Sequence, residues 1–84
     1  MNNCVMRKVD VTAEFAPLAG ERTVASVTIS CSPGNAGDVL FRGDTGQEVP
    51  WVPGEWHTFY AIDLAAVEIK GTAGDVVTVI GGTW

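Results

Sequence analysis

The chain has 84 residues, 46% of them hydrophobic and 18% charged, with five basic and ten acidic side chains giving a net charge of −5. This is the composition of one small globular domain, and it excludes intrinsic disorder as the default state. The cations Arg7, Lys8, Arg22, Arg42 and Lys70 are scattered, which leaves no basic patch for nucleic acid and disfavours an anionic membrane as partner.

A chain this short buries only about 60 to 65 per cent of the surface it exposes when unfolded, so a disulfide, a metal or self-association is expected to support it. Residues 1–8 carry no apolar run of the kind a signal peptide needs, and they are expected to form an extended N-terminal arm. No uninterrupted apolar run is long enough for a membrane span. Cys4 and Cys31 have no Cys-x-x-Cys spacing, and His57 is the one histidine. No zinc site is expected. A bridge between the cysteines is geometrically open if the first two strands lie side by side, but two reduced thiols are the expectation without an export signal.

Residues 9–15 alternate with a period of two, placing Val9, Val11, Ala13 and Phe15 on one face and Asp10, Thr12 and Glu14 on the other, as in a half-buried strand. Pro17 and Gly20 then mark a loop. From residue 23 to 31 the alternation resumes, with Ala25, Val27, Ile29 and Cys31 predicted to face inward. Residues 32–37, Ser-Pro-Gly-Asn-Ala-Gly, are dense in turn formers. Residues 39–42 predict a short strand, the glycines of 43–46 a hairpin connection, and residues 47–49 the returning strand.

Residues 49–56 read Val-Pro-Trp-Val-Pro-Gly-Glu-Trp. Two prolines three apart remove backbone donors and fix φ, so this segment must be an edge strand or a connection. Residues 57–62 predict another strand, and residues 62–66 a single helical turn that Asp63 would cap. Residues 67–80 read as a final hairpin around the loop Gly-Thr-Ala-Gly. Its last strand is so uniformly apolar (Val76, Val77, Val79, Ile80) that both of its faces are expected to be covered, in a core or at an interface. No glycine- and proline-free stretch shows helical periodicity. The predicted fold is all-β: a small single-domain β-sandwich or partly open barrel of six to eight short antiparallel strands spanning residues 1–84.

No catalytic motif is present. His57 lacks a nucleophile on a defined elbow and reads as a surface or strand-edge residue, so the chain is not expected to be an enzyme. Asp38, Asp44, Glu48 and Asp75 lie beside glycines without the dense spacing of a calcium loop, and they read as turn residues. Neither a metal nor a cofactor is expected. Arg42-Gly43-Asp44 spells an integrin-type tripeptide, too short to carry weight by itself. Trp51 and Trp56 either close the end of the core or lie at a protein interface, where tryptophan is enriched. Trp84, near few covalent neighbours, leans towards an interface.

The stretches Val-Thr-Ile-Ser-Cys (27–31), Gly-Asp-Val-Leu-Phe-Arg-Gly-Asp-Thr-Gly (37–46), the proline–tryptophan segment at 49–56 and Asp-Leu-Ala-Ala-Val-Glu-Ile-Lys-Gly-Thr-Ala-Gly-Asp-Val-Val-Thr-Val-Ile-Gly-Gly-Thr (63–83) cover about the last two thirds of the chain. Together they resemble small proteins of tailed-bacteriophage and prophage genomes. The resemblance implies a non-enzymatic virion component, foremost a capsid decoration (cement) protein. Such a protein is made in the host cytoplasm and sits on the outer capsid surface as a trimer or other small oligomer, bound to the major capsid protein. The other role considered is a tail-fibre or head-fibre domain that stacks aromatic side chains on host glycans. Neighbouring genes would separate the two: a major capsid protein gene points to cement, and tail-fibre genes to the adhesin.

Overall fold

The computed structural model describes residues 3–83 as two antiparallel four-stranded sheets. In chain order the strands are β1 (Asn3–Asp10), β2 (Ala16–Pro17), β3 (Val24–Cys31), β4 (Val39–Arg42), β5 (Val49–Trp51), β6 (Trp56–Asp63), β7 (Glu68–Lys70) and β8 (Val76–Thr83), with one 3-10 turn, Leu64–Ala66, between β6 and β7. Sheet A has the order β1-β8-β3-β6, and sheet B the order β2-β7-β4-β5. The shortest principal extent, 19 Å, suits two sheets packed about 10 Å apart with a side-chain layer outside each. The sandwich expected from the alternating pattern is the architecture found.

The core is built from the inward positions of both sheets. Ala25, Val27, Ile29 and Cys31 of β3 are all buried, as their alternation requires. Val5 of β1 and Val77 and Val79 of β8 extend this layer, and Val39 and Phe41 of β4, Trp51 of β5 and Ile69 of β7 meet it from sheet B. Each fully buried aliphatic side chain contributes roughly 1.5–3 kcal/mol, which sets the hydrophobic core against the entropy of ordering a short chain.

Several predicted elements sit where the residues imply. Pro50 lies in β5, an edge strand paired with β4 alone. The turn after it closes through Gly54 at φ 85° and the Glu55 N–H donating to the Val52 carbonyl at 3.0 Å. The Asp63 carboxylate caps the 3-10 turn by accepting from the Ala65 N–H at 3.0 Å, and it also accepts from the Thr23 N–H at 3.0 Å.

Others are corrected. Residues 9–15 are not one strand: β1 ends at Asp10, and the chain then crosses from sheet A to sheet B. Phe15 consequently lies against Arg42 and Lys70 on the outside of sheet B, away from buried Val11. Alternation reports local half-burial, and it continues undisturbed while the chain changes sheets. Residues 3–8, expected as an arm, are paired with β8 along their length.

The return from the 43–46 turn is Val49–Trp51, later than expected, with Phe41 opposite Val49. The final hairpin does not exist either. β7 belongs to sheet B and β8 to sheet A, because the loop between them crosses the sandwich at Gly71, where a Cβ would stand 3.1 Å from Val11 Cγ1 and 3.2 Å from the Asp38 carbonyl oxygen. Finally, β8 is central in its sheet but covered on one face only, since Ile80 is 53% exposed.

Candidate functional site

The outward positions of sheet A can be read off its register. One cross-strand row is Met6, Ile80, Thr28 and Thr58; the next is Lys8, Thr78, Ser30 and Trp56. Tyr60 continues the outward side of β6 beyond Thr58. Within these rows Thr28 Oγ1 and Thr58 Oγ1 are 3.0 Å apart, and Ser30 Oγ and Thr78 Oγ1 are 2.7 Å apart. Hydroxyl pairs hold the middle of the face and apolar side chains flank it. Met6 is 72%, Trp56 62% and Tyr60 79% exposed. Among the described residues the strands of this face have carboxylates at two outward positions, both at strand ends: Asp10 of the edge strand β1 and Asp63 of β6, opposite Val24, whose carboxylate is taken up by the Thr23 and Ala65 N–H groups. A charge-poor apolar face on a chain of net charge −5 is the kind of surface that marks an interaction site.

The tryptophans divide. Trp51, 5% exposed, stacks on Phe41 with ring centroids 3.8 Å apart and meets His57 edge-on at 4.8 Å. It closes the core between the two sheets. Trp56, five residues later, stands on the outer face of sheet A. Trp84 lies outside the described residues. Of the exposed side chains on the face, Met6 and Tyr60 were not singled out by sequence; Met6 fell in a presumed arm, and nothing in a strand's composition tells which aromatic faces out. Ile80 carried a signal in the uniformly apolar run.

Beside Trp51 the sandwich is open. An apolar cleft of about 260 Å³ lies between Phe59 of β6 and Phe41, Val49 and Trp51 of sheet B, and it continues towards Ile62 and Ala66. His57, edge-on to Trp51, has its Nε2 2.6 Å from Glu55 Oε2, and Glu55 Oε1 accepts from the Val52 N–H at 3.0 Å. The hydrogen bond with His57, then that with the Val52 N–H, holds the Glu55 carboxyl below its ordinary value.

The cysteines sit apart. Cys4 is on exposed β1, and Cys31 is buried in β3 with β8 between the two strands. They lie on opposite faces of the sheet, two strand spacings apart, and Cys4 is opposite Gly82 of β8 whereas Cys31 is opposite Val77, so the offset along the strands adds to the lateral distance of about 9–10 Å and puts a disulfide out of reach. Burial, followed by the nearby carboxylates of Glu55, Asp38 and Asp75, pushes the Cys31 thiol up to about 11, which keeps it protonated and unreactive.

Two of the four carboxylates that lie near glycines, Asp75 and Glu48, have partners within the chain. Asp75 accepts from the Ala36 and Gly37 N–H groups at 2.9 and 3.3 Å, pinning the β3–β4 loop to the start of β8. Glu48 lies 3.8 Å from Lys70 Nζ. Among the described residues no cluster of three His, Cys, Asp or Glu side chains could hold a metal ion. No family model, no curated protein and no solved structure matches this chain.

Proposed function

We propose that this protein is a non-enzymatic structural component of a tailed-phage virion, foremost a capsid decoration protein that binds the major capsid protein through the outer face of sheet A and associates with itself. One observation carries the reading: the exposed, hydroxyl-paired and nearly carboxylate-free face bearing Met6, Ile80, Trp56 and Tyr60 on an otherwise acidic molecule. Such a face is suited to docking on a folded surface, because its apolar groups gain from burial while its hydroxyls are already paired. The resemblance to phage proteins supplies the partner class. The test is co-sedimentation of the purified protein with phage heads assembled from the major capsid protein of the same genome. Wild type should pellet with the heads and Ile80→Lys should not; a wild type that stays in the supernatant refutes the reading.

The exposed Trp56 and Tyr60, on one side of β6 with Thr58 between them, favour a second reading, a fibre domain stacking on host glycans. Glycan-array binding lost in Trp56→Ala would establish that reading in place of the first.

A further inference from the structure

The four outer edges of the two sheets are guarded unequally. An exposed strand edge is a template for pairing unless shortness, proline, lysine, an inward charge or a bulge protects it. β2 has two residues and includes Pro17, and β5 has three residues and includes Pro50. β1 is long, but it carries Lys8 and, at an inward register position between Val5 and Val9, the charge of Arg7. β6 has eight residues, Trp-His-Thr-Phe-Tyr-Ala-Ile-Asp, without proline, lysine or arginine. Its one irregularity lies towards its end, where Ala61 adopts φ 52° opposite the register shift between Ala25 and Val27 of β3.

The hydrogen-bond pattern shows which β6 groups face outward along this free edge. Cys31 N–H donates to the Glu55 carbonyl at 2.8 Å on the β6 side of β3, whereas Ser32 N–H donates to Val76 on the β8 side. Alternation along an antiparallel ladder then directs the backbone groups of His57 and Phe59 to β3. It leaves those of Trp56, Thr58 and Tyr60 pointing away from the sheet.

We infer that the β6 edge is a self-association site, at which a second copy of this chain pairs antiparallel, β6 to β6, about a two-fold axis through Thr58. In that register Thr58 faces Thr58 of the second copy, and Trp56 faces Tyr60 on each side of the axis. These are the three residues whose N–H and C=O groups are free, so each facing pair exchanges two backbone hydrogen bonds. The side chains agree with the backbone, since aromatic–aromatic and Thr–Thr cross-strand pairs are favourable. The charges agree as well: the paired segment, Trp-His-Thr-Phe-Tyr from residue 56 to 60, contains no carboxylate, so none meets another despite the net charge of −5. The paired segment stops short of the bulged Ala61. Sheet A then continues across the axis, which doubles its exposed outer face. This contact is two-fold, not the three-fold one that the phage resemblance implies, and it does not depend on the virion reading.

The test is sedimentation equilibrium combined with amide hydrogen exchange on wild type, Thr58→Pro and Thr58→Lys. Wild type should have twice the 8.9 kDa chain mass, with the Trp56, Thr58 and Tyr60 amides protected in a concentration-dependent way. Thr58→Pro removes a donor that bonds nothing within the chain, and it should keep the circular dichroism of the fold while weakening dimerisation about 100-fold or more. Should Thr58→Pro fail to fold, Thr58→Lys carries the test, because it sets two ammonium groups face to face and should likewise give monomers. A monomeric wild type, protection at the β1 edge instead, or a dimer that survives substitution in a folded variant overturns the inference.

Discussion

The outer face of sheet A and the outer face of sheet B meet solvent in different ways. Sheet A presents hydroxyls paired to one another and apolar side chains left bare. Sheet B presents charges: Arg42 Nε lies 2.8 Å from Glu68 Oε1, Lys70 lies near Glu48, and Arg42 and Lys70 stand 3.8 and 4.9 Å from the Phe15 ring centroid. On sheet B the aromatic ring is covered by cations of the same chain. Among the described residues no cation covers an aromatic ring of sheet A. Long charged side chains that shield an apolar group keep a surface solvated, whereas bare apolar groups await a partner. This difference is the ground for proposing sheet A, and not sheet B, as the docking face.

The largest expected effect tests whether the faces are separable from the core they share. Trp51→Ala should destabilise the fold by about 4 kcal/mol, since it empties a stacked, buried indole site, whereas Trp56→Ala should stay within about 0.5 kcal/mol. Urea denaturation of both variants checks this, and similar costs would erase the distinction between inner and outer tryptophan. Next comes Gly81 of β8, where a Cβ would fall 2.0 Å from the Ser26 carbonyl oxygen and 2.7 Å from Val27 Cα. Gly81→Ala must push β8 off β3 and should cost about 3 kcal/mol. Amide exchange should rise in sheet A before sheet B if the two are distinct units.

Sheet B should respond weakly to loss of its charges. A double-mutant cycle on Arg42→Ala and Glu68→Ala is expected to give a coupling below about 1 kcal/mol that fades with added salt, because the pair is partly exposed. Head binding should be unaffected, and its loss in Arg42→Ala would reassign the docking face.

The smallest expected effect concerns Glu55. Its carboxyl is depressed in the fold, so its contribution is present above the ordinary carboxylate range and lost as pH falls through the depressed value. Melting temperatures of wild type and Glu55→Gln should therefore differ at neutral pH and converge as the pH falls through the depressed range. A gap that widens in acid would contradict the sign.

The residues alone specify the local geometry: the inward set of β3, the edge position of Pro50, and the capping of the 3-10 turn by Asp63. Each follows from a short-range rule, period-two alternation, a missing donor or a side-chain acceptor at a helix start, and none needs a distant residue. Tertiary structure decided which sheet each strand joins. The pattern in residues 9–15 and the glycine-flanked loop at 71–74 look the same whether a chain turns back on itself or crosses to the other layer, and close packing of Gly71 against Val11 selects the crossing. It also decided the two indoles of residues 49–56. Both belong to one stiff segment that holds two prolines, yet one lies on the inner side of β5 and the other on the outer side of β6. Neither composition nor spacing can report which side of a sandwich a strand turns towards its neighbour.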